Sequence, residues 1–342
     1  MNSIDPWFLE NLICPVDGLS LAWHPECSRL VSASKRVYPV VDGVPIMLPE
    51  DVEPTLGGIR ASRSRFEDDA PWYLSSVLLS DEEKRGIQQL IRHGSAVDPV
   101  AAYLVGATNG LAYVHLIGHL TRYPIPELQF AEGAGKTLLD VGCSWGRWCV
   151  AAAMRGYSPI GIDPSLGAVM AARRVAKQLK IQARFLVGDA RHLPLRSDCI
   201  DAAFSYSVLQ HFSISDVHQS VRHIGRVLKP GARSLIQMPT RFGIRCLINQ
   251  AKRKFRAAKE FEVRYWSIKD LQVLFHDAIG ETTIVAECYF GIGWQPSDSE
   301  LMPAHLRTVI HTSEFIRRLS RTLPRLVSIA DSVYVASNKA GG

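Results

Sequence analysis

Three aspartates at regular intervals have the residue type and spacing to hold a nucleotide-like ligand. Asp140 stands in LLDVGCSWG, Asp163 in GIDPS and Asp189 in VGDARHLPL, each at the end of an apolar run. Gly142 and Gly146 follow the first aspartate, and glycine lets a backbone approach a ligand closely at the start of a helix. A carboxylate at the end of the next strand can accept hydrogen bonds from a ribose diol. The pattern therefore predicts a ligand site built from several strand ends.

Two other kinds of site match part of the same glycine-rich loop. The residues around Ser144 read GCSWG, which fits the turn G-x-S-x-G that presents a hydrolase nucleophile. Candidate acid and base partners follow in the right chain order: Asp198, Asp201, His211 and His218. Against a hydrolase, the segment before Leu138 has helical spacing instead of earlier strands, and no glycine-rich oxyanion loop stands upstream. The dinucleotide fingerprint G-x-G-x-x-G fails twice, because Ser144 and Arg147 occupy its second and third glycine positions.

The elements that must position the aspartates alternate between strands and helices. Seven apolar runs read as strands: TLLDVG, SPIGID, ARFLVGD, CIDAAFSYS, ARSLIQM, TTIVAECYF and SVYVASN. Helical spacing lies between most of them, at 146–155, 165–180, 214–228 and 267–279, and again at 299–330. This alternation predicts an α/β, Rossmann-like fold with a seven-stranded, mostly parallel sheet and helices on both faces. Ligands of such sheets bind at the carboxyl ends of the strands.

Residues from about 136 to 240 resemble the core of a class I S-adenosylmethionine-dependent methyltransferase. The resemblance rests on LLDVGCSWG, GIDPS, VGDARHLPL, CIDAAFSYSVLQHF and VLKPGA, which occur in this order and at the family's spacing. It implies S-adenosyl-L-methionine (SAM) as the cofactor and S-adenosyl-L-homocysteine as the product. Ser144 departs from the family, which more often has glycine at that position.

The resemblance also implies a set of cofactor-binding residues at the ends of the first four strands. Residues of the glycine-rich loop surround the methionine part, Asp163 accepts from the ribose, and Asp189 and the Ala190 amide contact the adenine. The predicted set comprises Asp140, Gly142, Cys143, Ser144, Gly146, Asp163, Pro164, Asp189, Ala190, Ser205 and Tyr206.

Catalysis of methyl transfer needs an acceptor in line with the methyl group and, for a hydroxyl acceptor, removal of its proton. His211 is the preferred base, because imidazole titrates near neutral pH. The alternative is that a histidine in this QHF turn is structural or touches the cofactor. The candidate substrate-contacting residues lie at neighbouring strand ends: Gln210, Gln237 and Arg241.

The N-terminal segment LICPVDGLSLAWHPECSRLVSASKRVYPVVDGVPIMLPED predicts a small β-rich domain, because short apolar runs alternate with Pro and Gly turns. It resembles the small zinc-ribbon-type protein that activates several RNA and protein methyltransferases, above all in the ending YPVVDGVPIML. The predicted domains are a degenerate zinc-ribbon-like domain at 1–50, a linker at 51–79 and a methyltransferase domain at 80–342. The last comprises a helical lead-in at 80–130, a cofactor core at 136–240 and substrate-side insertions at 241–266 and 291–330.

The ribbon-like segment lacks the four soft ligands that a structural zinc site requires. Cys14 keeps its place, whereas Asp17 stands at the next ligand position and serines stand near the second pair. The mixed set Cys14, Asp17, His24 and Cys27 has suitable spacing, but a hairpin can close without metal. We therefore predict no metal ion, and a docked helper that stabilises the catalytic domain or shapes its entrance.

A basic, amphipathic segment follows the fifth predicted strand. Its apolar residues share one helical face: Ile244, Leu247, Ile248, Ala251 and Phe255. Its basic residues follow as Lys252, Arg253, Lys254 and Arg256. The interpretations are a solvated helix packed on the sheet, an acceptor with phosphate or acid groups, or contact with an anionic membrane surface. Nucleic-acid binding is not favoured, because aromatic residues are not interleaved with the basic ones apart from Phe255.

Composition and charge restrict the class of protein. The 342 residues are 47% hydrophobic and 21% charged, typical of a globular chain, and a net charge of +6 permits an anionic partner without requiring one. We expect no transmembrane segment, no secretory signal and no disulfide framework, hence a cytoplasmic protein or one peripheral to the membrane.

Three functions remain open. The insertions after the fifth and sixth strands favour a shaped pocket, and thus methyl transfer to oxygen or nitrogen of a small-molecule or glycan-like acceptor. The alternatives are a methyltransferase acting on RNA or protein, which the N-terminal resemblance suggests, and a non-catalytic SAM-binding regulatory module.

Overall fold

The computed structural model describes residues 4–49, 81–259, 261–291 and 293–341. The predicted linker at 51–79 lies outside them. The described residues form a four-stranded sheet near the N-terminus and a seven-stranded sheet in the rest of the chain. None of the described helices has the length and apolar character needed to cross a membrane.

The N-terminal domain is one short helix and an antiparallel sheet. Its elements are α1 (Pro6–Asn11), β1 (Leu21–His24), β2 (Arg29–Ser32), β3 (Val37–Val41) and β4 (Val44–Pro45), with the strands paired in chain order. Asp5 starts α1 by accepting a hydrogen bond from the Trp7 amide. Asp42 and Gly43, both with positive φ, form the tight turn between β3 and β4. The predicted β-rich domain is confirmed.

The helical lead-in consists of α2 (Asp81–His93), α3 (Pro99–Thr108) and a 3₁₀ turn (Leu111–Leu116). Asp98 caps α3, because its carboxylate accepts from the amides of Val100 and Ala101. The chain from 117 to 130 is not helical. Pro124 and Pro126 fall in that part, and proline disfavours helix at the residue before it.

The large sheet has the predicted seven strands. They are β5 (Thr137–Val141), β6 (Ser158–Asp163), β7 (Arg184–Val187), β8 (Ile200–Ser205), β9 (Leu228–Pro239), β10 (Gly280–Cys288) and β11 (Ser332–Lys339). Their order across the sheet is β10-β11-β9-β8-β5-β6-β7. Strand β11 runs antiparallel to both of its neighbours, whereas the pairs from β9 to β7 are parallel. The predicted fold class is confirmed.

Helices cover both faces of this sheet. They are α4 (Arg147–Met154), α5 (Leu166–Gln178), α6 (Ile214–Val227), α7 (Ile244–Lys252), α8 (Ile268–Ala278) and α9 (Ala304–Leu319). Successive residues of β5 point to opposite faces. Leu138 packs in a cluster with Trp148 of α4, whereas Leu139 belongs to a cluster with Val221 of α6. The central strands are therefore buried on both sides, which explains their continuous apolar runs.

The N-terminal domain docks on the edge of the large sheet. Ile46 forms a parallel bridge with Val187, the last residue of edge strand β7, and the Met47 amide donates to the Val187 carbonyl at 2.8 Å. An ion pair of 2.9 Å joins Arg184 Nε of β7 to Asp5 Oδ2. The domain thus covers a strand edge that would otherwise expose unpaired backbone groups.

Candidate functional site

A cavity of about 1050 Å³ lies at the carboxyl ends of β5 to β8. Its wall includes Val141 after β5, Asp163 at the end of β6, Gly188 after β7 and Ser207 after β8. Strand β5 pairs with β6 on one side and with β8 on the other, so the chain direction of the crossovers reverses here. Open α/β sheets bind their ligands at such a switch point.

The loop after β5 depends on three left-handed backbone conformations. Gly142, Ser144 and Gly146 have φ values of 80°, 46° and 83°. A Cβ on Gly142 would lie 2.2 Å from a Val208 methyl, and one on Gly146 would lie 3.0 Å from the Ala172 Cβ. The glycines are therefore required by packing inside the protein as well as by backbone angle. Ser144 adopts a positive φ, which glycine favours. The loop therefore keeps its conformation with serine at a position where the family more often has glycine.

Asp163 is held in the cavity wall by two backbone amides. Its Oδ2 accepts from the Ser144 amide and its Oδ1 from the Ser165 amide, both at 2.9 Å. Burial raises the pKa of Asp163 to about 6, although both amide hydrogen bonds act to lower it. A carboxylate has about four acceptor positions. Two remain for a pair of hydroxyls, so the group fits a ribose diol.

Asp189 lines the cavity but is already paired. Arg191 Nη2 lies 2.6 Å from Asp189 Oδ2, and the Arg191 amide donates to Oδ1 at 2.8 Å. Arg191 Nη1 also lies 3.5 Å from Asp216 Oδ1. An adenine amino group would share the Asp189 carboxylate with this guanidinium, while the Ala190 backbone lines the same wall.

Asp140 lies behind the loop and outside the cavity wall. It is 1% exposed, and the Cys149 thiol donates to its Oδ2 at 3.3 Å. Its Oδ1 is buried without a hydrogen-bond partner among the described residues. Burial raises the pKa of Asp140 to about 7.

The remaining predicted cofactor residues also fall into two groups, those behind the cavity wall and those that line the cavity. Gly146 and Ser205 lie behind the wall, and the Ser205 hydroxyl donates to the Val141 carbonyl at 2.8 Å. The predicted residues that line the cavity are Gly142, Cys143, Ser144, Asp163, Pro164, Asp189, Ala190 and Tyr206.

His211 lines the cavity with both ring nitrogens engaged. Its Nδ1 lies 2.7 Å from the Phe261 carbonyl oxygen, and its Nε2 lies 3.1 Å from the Gln210 amide nitrogen. A carbonyl accepts only, so Nδ1 carries the hydrogen and the Nε2 lone pair accepts from Gln210. Burial lowers the pKa of His211 to about 4. The expected titration near neutral pH is therefore wrong, because the ring is buried against Phe261.

The three candidate substrate residues lie in different places. Gln210 lines the cavity beside His211. Gln237 is 1% exposed, and its Oε1 accepts from the Ser207 amide at 2.8 Å, which ties β9 to the loop after β8. Arg241 is exposed and lines a second cavity, of about 1210 Å³, instead of the first.

A buried ion pair that sequence reasoning missed lies beside the glycine-rich loop. Arg147 Nη2 is 2.8 Å from Asp298 Oδ2, and the two side chains are 5% and 2% exposed. The Tyr113 hydroxyl donates to the same oxygen at 2.5 Å. Arg147 lines the cavity, and its Nε has no hydrogen-bond partner among the described residues. The position of Arg147 directly after Gly146 was the available signal in the sequence.

A second buried group adjoins the same wall. The Tyr206 hydroxyl donates to Glu287 Oε1 at 2.8 Å and accepts from Gln295 Nε2 at 2.8 Å. Burial raises the pKa of Glu287. The Tyr206 ring lies 4.9 Å from that of Trp148, centroid to centroid, and both rings line the cavity.

The far part of the cavity is built from the two predicted substrate-side insertions. From the first come Arg245, Asn249, Phe261, Val263 and Tyr265. From the second come Trp294, Leu306, Thr308, Val309 and Thr312. One cavity therefore joins the strand ends to a lobe with aromatic, aliphatic and a few hydrogen-bonding side chains.

A hydrolase site is not assembled in the described part of the chain. The Ser144 hydroxyl is buried without a hydrogen-bond partner, and both nitrogens of His211 are engaged elsewhere. Asp198 and Asp201 pair with Lys339 and Lys229. A serine nucleophile needs a base within hydrogen-bonding reach.

Hydrogen bonds join the positions where a zinc ribbon would hold its metal. The Ser34 hydroxyl donates to Asp17, Ser32 and Ser34 are 2.8 Å apart through their hydroxyls, and Cys14 Sγ lies 3.1 Å from the Tyr38 hydroxyl. Across the described ranges, no three His, Cys, Asp or Glu residues are grouped to hold a metal ion. The set Cys14, Asp17, His24 and Cys27 is thus not brought together.

Comparison with known proteins gives matches to two parts of this chain. Residues 138–231 match the family model described as a methyltransferase domain. Over 53 residues the chain is 51% identical to a UPF0434 protein of Chelativorans sp. (strain BNC1). The matched stretch covers 15% of this chain and 75% of that protein. The chain therefore belongs to the UPF0434 family through its N-terminal region, and residues 138–231 are similar to a methyltransferase domain. The cofactor that the SAM-dependent methyltransferase family implies is SAM.

Two further similarities are to a bifunctional protein and to a chain of a solved complex. Over 99 residues the chain is 35% identical to the biotin biosynthesis bifunctional protein BioHC of Cellvibrio japonicus (strain Ueda107), covering 29% of this chain and 19% of that protein. A solved complex between the Haloferax volcanii Trm112 methyltransferase activator and a methyltransferase is similar with a TM-score of 0.42 and 18% identity. That similarity covers 77% of this chain and 100% of the matched chain.

Proposed function

We propose that this protein transfers a methyl group from SAM to an oxygen or nitrogen atom of a small-molecule or glycan-like acceptor. The observation that carries the proposal is the position of Asp163, whose two oxygens are oriented by backbone amides in the wall of the cavity at the strand ends. A fixed pair of acceptors at the end of the second strand of the parallel core suits a ribose diol.

The residues present fit the cofactor along the strand ends. Asp163 would hold the ribose, and Asp189 with the Ala190 amide would contact the adenine. The left-handed loop from Gly142 to Gly146 would surround the methionine part. SAM supplies a methyl group that its sulfonium has already activated, so this chain's residues have to position an acceptor in line and exclude water.

His211 is the proposed base for a hydroxyl acceptor. Its Nε2 carries a lone pair at the cavity wall, and its low pKa keeps the ring neutral at physiological pH. Gln210 donates to the same nitrogen, so an acceptor hydroxyl would have to displace or share that amide. An amine acceptor that arrives unprotonated would need no base.

The shape of the acceptor lobe supports a small or glycan-like acceptor. Aromatic faces such as Trp294 and Tyr265, with hydrogen-bonding groups such as Asn249 and Thr312, suit a compact molecule that enters a cavity. We place the reaction in the cytoplasm, where the free cysteines of the described chain would stay reduced.

The acceptor class can be tested without knowing the acceptor. Purified protein is incubated with methyl-labelled SAM and with separate small-molecule, polysaccharide, RNA and protein fractions of a cell extract. Label should enter the small-molecule or polysaccharide fraction, and the His211→Ala variant should transfer far less. Label in RNA or protein would replace the acceptor class with the alternative suggested by the N-terminal domain. SAM binding without transfer to any fraction would favour a regulatory module.

A further inference from the structure

Helix α7 is turned with its apolar side outward. Ile244, Leu247 and Ile248, spaced at i, i+3 and i+4, are 42%, 38% and 42% exposed. The side of the helix that meets the protein carries buried Cys246 and half-buried Gln250. A surface helix normally packs its apolar stripe on the core. The apolar stripe of α7 therefore does not pack on the sheet.

Specific contacts fix the orientation of α7. The Cys246 amide donates to Asp331 Oδ1 at 2.8 Å, and Gln250 Nε2 donates to the Arg241 carbonyl at 2.7 Å. Gly243 starts the helix at a place where a Cβ would lie 2.4 Å from the Asp331 Cα. The start of the helix is thus held against Asp331, the residue before β11, and the outward stripe is a consequence of this attachment.

The exposed apolar surface extends beyond the helix. Phe242, Phe255 and Phe261 are 57%, 68% and 49% exposed. Single exposed apolar side chains are ordinary, but six large ones within 20 consecutive residues mark an interaction site. We call Phe242, Ile244, Leu247, Ile248, Phe255 and Phe261, with the basic residues among them, the α7 surface.

The α7 surface is strongly cationic. Between residues 241 and 262 the chain has two carboxylates, Glu260 and Glu262, and seven basic residues: Arg241, Arg245, Lys252, Arg253, Lys254, Arg256 and Lys259. Arg256 pairs with Glu262, with Nη2 and Oε1 2.6 Å apart, whereas Lys252 and Lys254 are exposed. Phe261, Lys252 and Lys254 line one shallow hollow, so apolar and basic groups are adjacent.

We propose that the α7 surface seats the protein on an anionic lipid bilayer. Two interactions hold an amphipathic helix at a membrane interface. Its apolar side chains insert at the headgroup level, and its lysines are attracted to anionic lipid. RNA would satisfy the cations alone and would leave Ile244, Leu247 and Phe242 exposed to water. A bilayer would contact both the apolar and the basic residues of the α7 surface.

The acceptor lobe opens at this surface, because Arg245 and Phe261 line the cavity at the strand ends and are also exposed on the α7 surface. A seated protein would therefore take its acceptor from the membrane, as a small or glycan-like group carried on a lipid. This last step rests on the proposed methyl transfer, whereas the seating itself does not.

The test is co-sedimentation of the full chain with vesicles of phosphatidylcholine alone or with about 30% phosphatidylglycerol. Wild type should bind the anionic vesicles and release with added salt. Replacing the stripe (Ile244→Ser, Leu247→Ser, Ile248→Ser) should lower binding at least about tenfold, and Lys252→Glu with Lys254→Glu should do the same. The matched controls, Met154→Ser and Lys177→Glu with Lys180→Glu, change exposed residues on α4 and near α5 and should bind as wild type.

Absence of binding to anionic vesicles at low salt would overturn the proposal. Equal losses of binding in the control variants would also overturn it. Binding that the serine substitutions do not weaken and that RNA competes away would indicate nucleic acid as the ligand instead. SAM titration of the same samples separates the two proposals. SAM binding without vesicle binding would refute only the seating, and vesicle binding without SAM binding would refute only the methyl transfer.

Discussion

The backbone amide of Ser144 donates a 2.9 Å hydrogen bond to Oδ2 of Asp163. This bond joins the loop after β5 to the end of β6, so the two parts of the proposed cofactor site hold each other in place. It also ties the left-handed conformation of Ser144 to the orientation of the carboxylate that we propose to bind the ribose. Ordering of both segments before binding lowers the entropy that a ligand must overcome.

SAM affinity should depend on pH through Asp163. Its pKa of about 6 in the folded protein lies above the usual 3.8, so the carboxyl becomes neutral as the pH falls through about 6. A neutral carboxyl accepts hydrogen bonds less well, and affinity should fall up to about tenfold per pH unit below that point. Calorimetric titrations from pH 5 to pH 8 would measure it. Asp163→Asn should bind weakly and with little change over the same range; wild-type affinity that stays constant would count against this role.

Replacing the buried carboxyl behind the loop should stabilise the protein. The folded-state pKa of Asp140, about 7, exceeds its usual 3.8, so folding favours the neutral form. The free energy of unfolding therefore decreases as the pH rises from about 4 to about 7, and Asp140→Asn removes this loss. At pH 8 we expect the variant to be more stable by on the order of 2 kcal/mol, and at pH 4 about equal. Denaturant unfolding at both pH values is the measurement, and equal stability at pH 8 would refute the charge argument.

His211→Ala should reduce turnover at least about 100-fold while changing SAM affinity less than about twofold, if Nε2 is the base. Because the pKa of His211 is about 4, the wild-type rate should be flat from pH 6 to pH 8 as far as this ring is concerned. His218→Ala is the control, since that ring lies near Trp266 in the second cavity. Unchanged turnover in the His211 variant would assign the ring a structural role.

Docking of the N-terminal domain should stabilise the whole chain. Met47 is fully buried in a cluster with Leu139 and Ile160 of the large sheet. Met47→Ala should cost about 2–5 kcal/mol and lower the midpoint of a single thermal transition. Val37→Ala, at a 44% exposed position in β3, should leave the midpoint unchanged. If Met47→Ala left the midpoint of the main transition unchanged, the two domains would unfold independently.

The motifs predicted the strands well because each aspartate lies at or next to the carboxyl end of a strand: Asp140 is the residue before the last of β5, Asp163 ends β6, and Asp189 follows β7 by two residues. Asp140, Asp163 and Asp189 follow continuous apolar runs, and the parallel topology brings these strand ends to one edge. Sequence position could not tell that Asp140 lies behind the loop, since burial of a side chain depends on what packs against it.

The ion pair between Arg147 and Asp298 and the orientation of α7 could not be predicted from the sequence. Arg147 and Asp298 are 151 residues apart, and no local pattern indicates that they form a pair. Periodicity shows that Ile244 and Leu247 share one face of α7, but it does not say which way that face points. The orientation is set by Asp331, which belongs to the other end of the domain.

Calorimetric titration of SAM into the wild type and into Asp163→Ala tests the central claim most directly. Asp198→Ala, which removes an exposed carboxylate paired with Lys339, is the matched control. We predict micromolar binding by the wild type and the control, and a loss of at least about 2 kcal/mol in the Asp163 variant, since charged hydrogen bonds contribute on that order. Failure of the folded wild type to bind SAM, or equal binding by the Asp163 variant, would contradict the account.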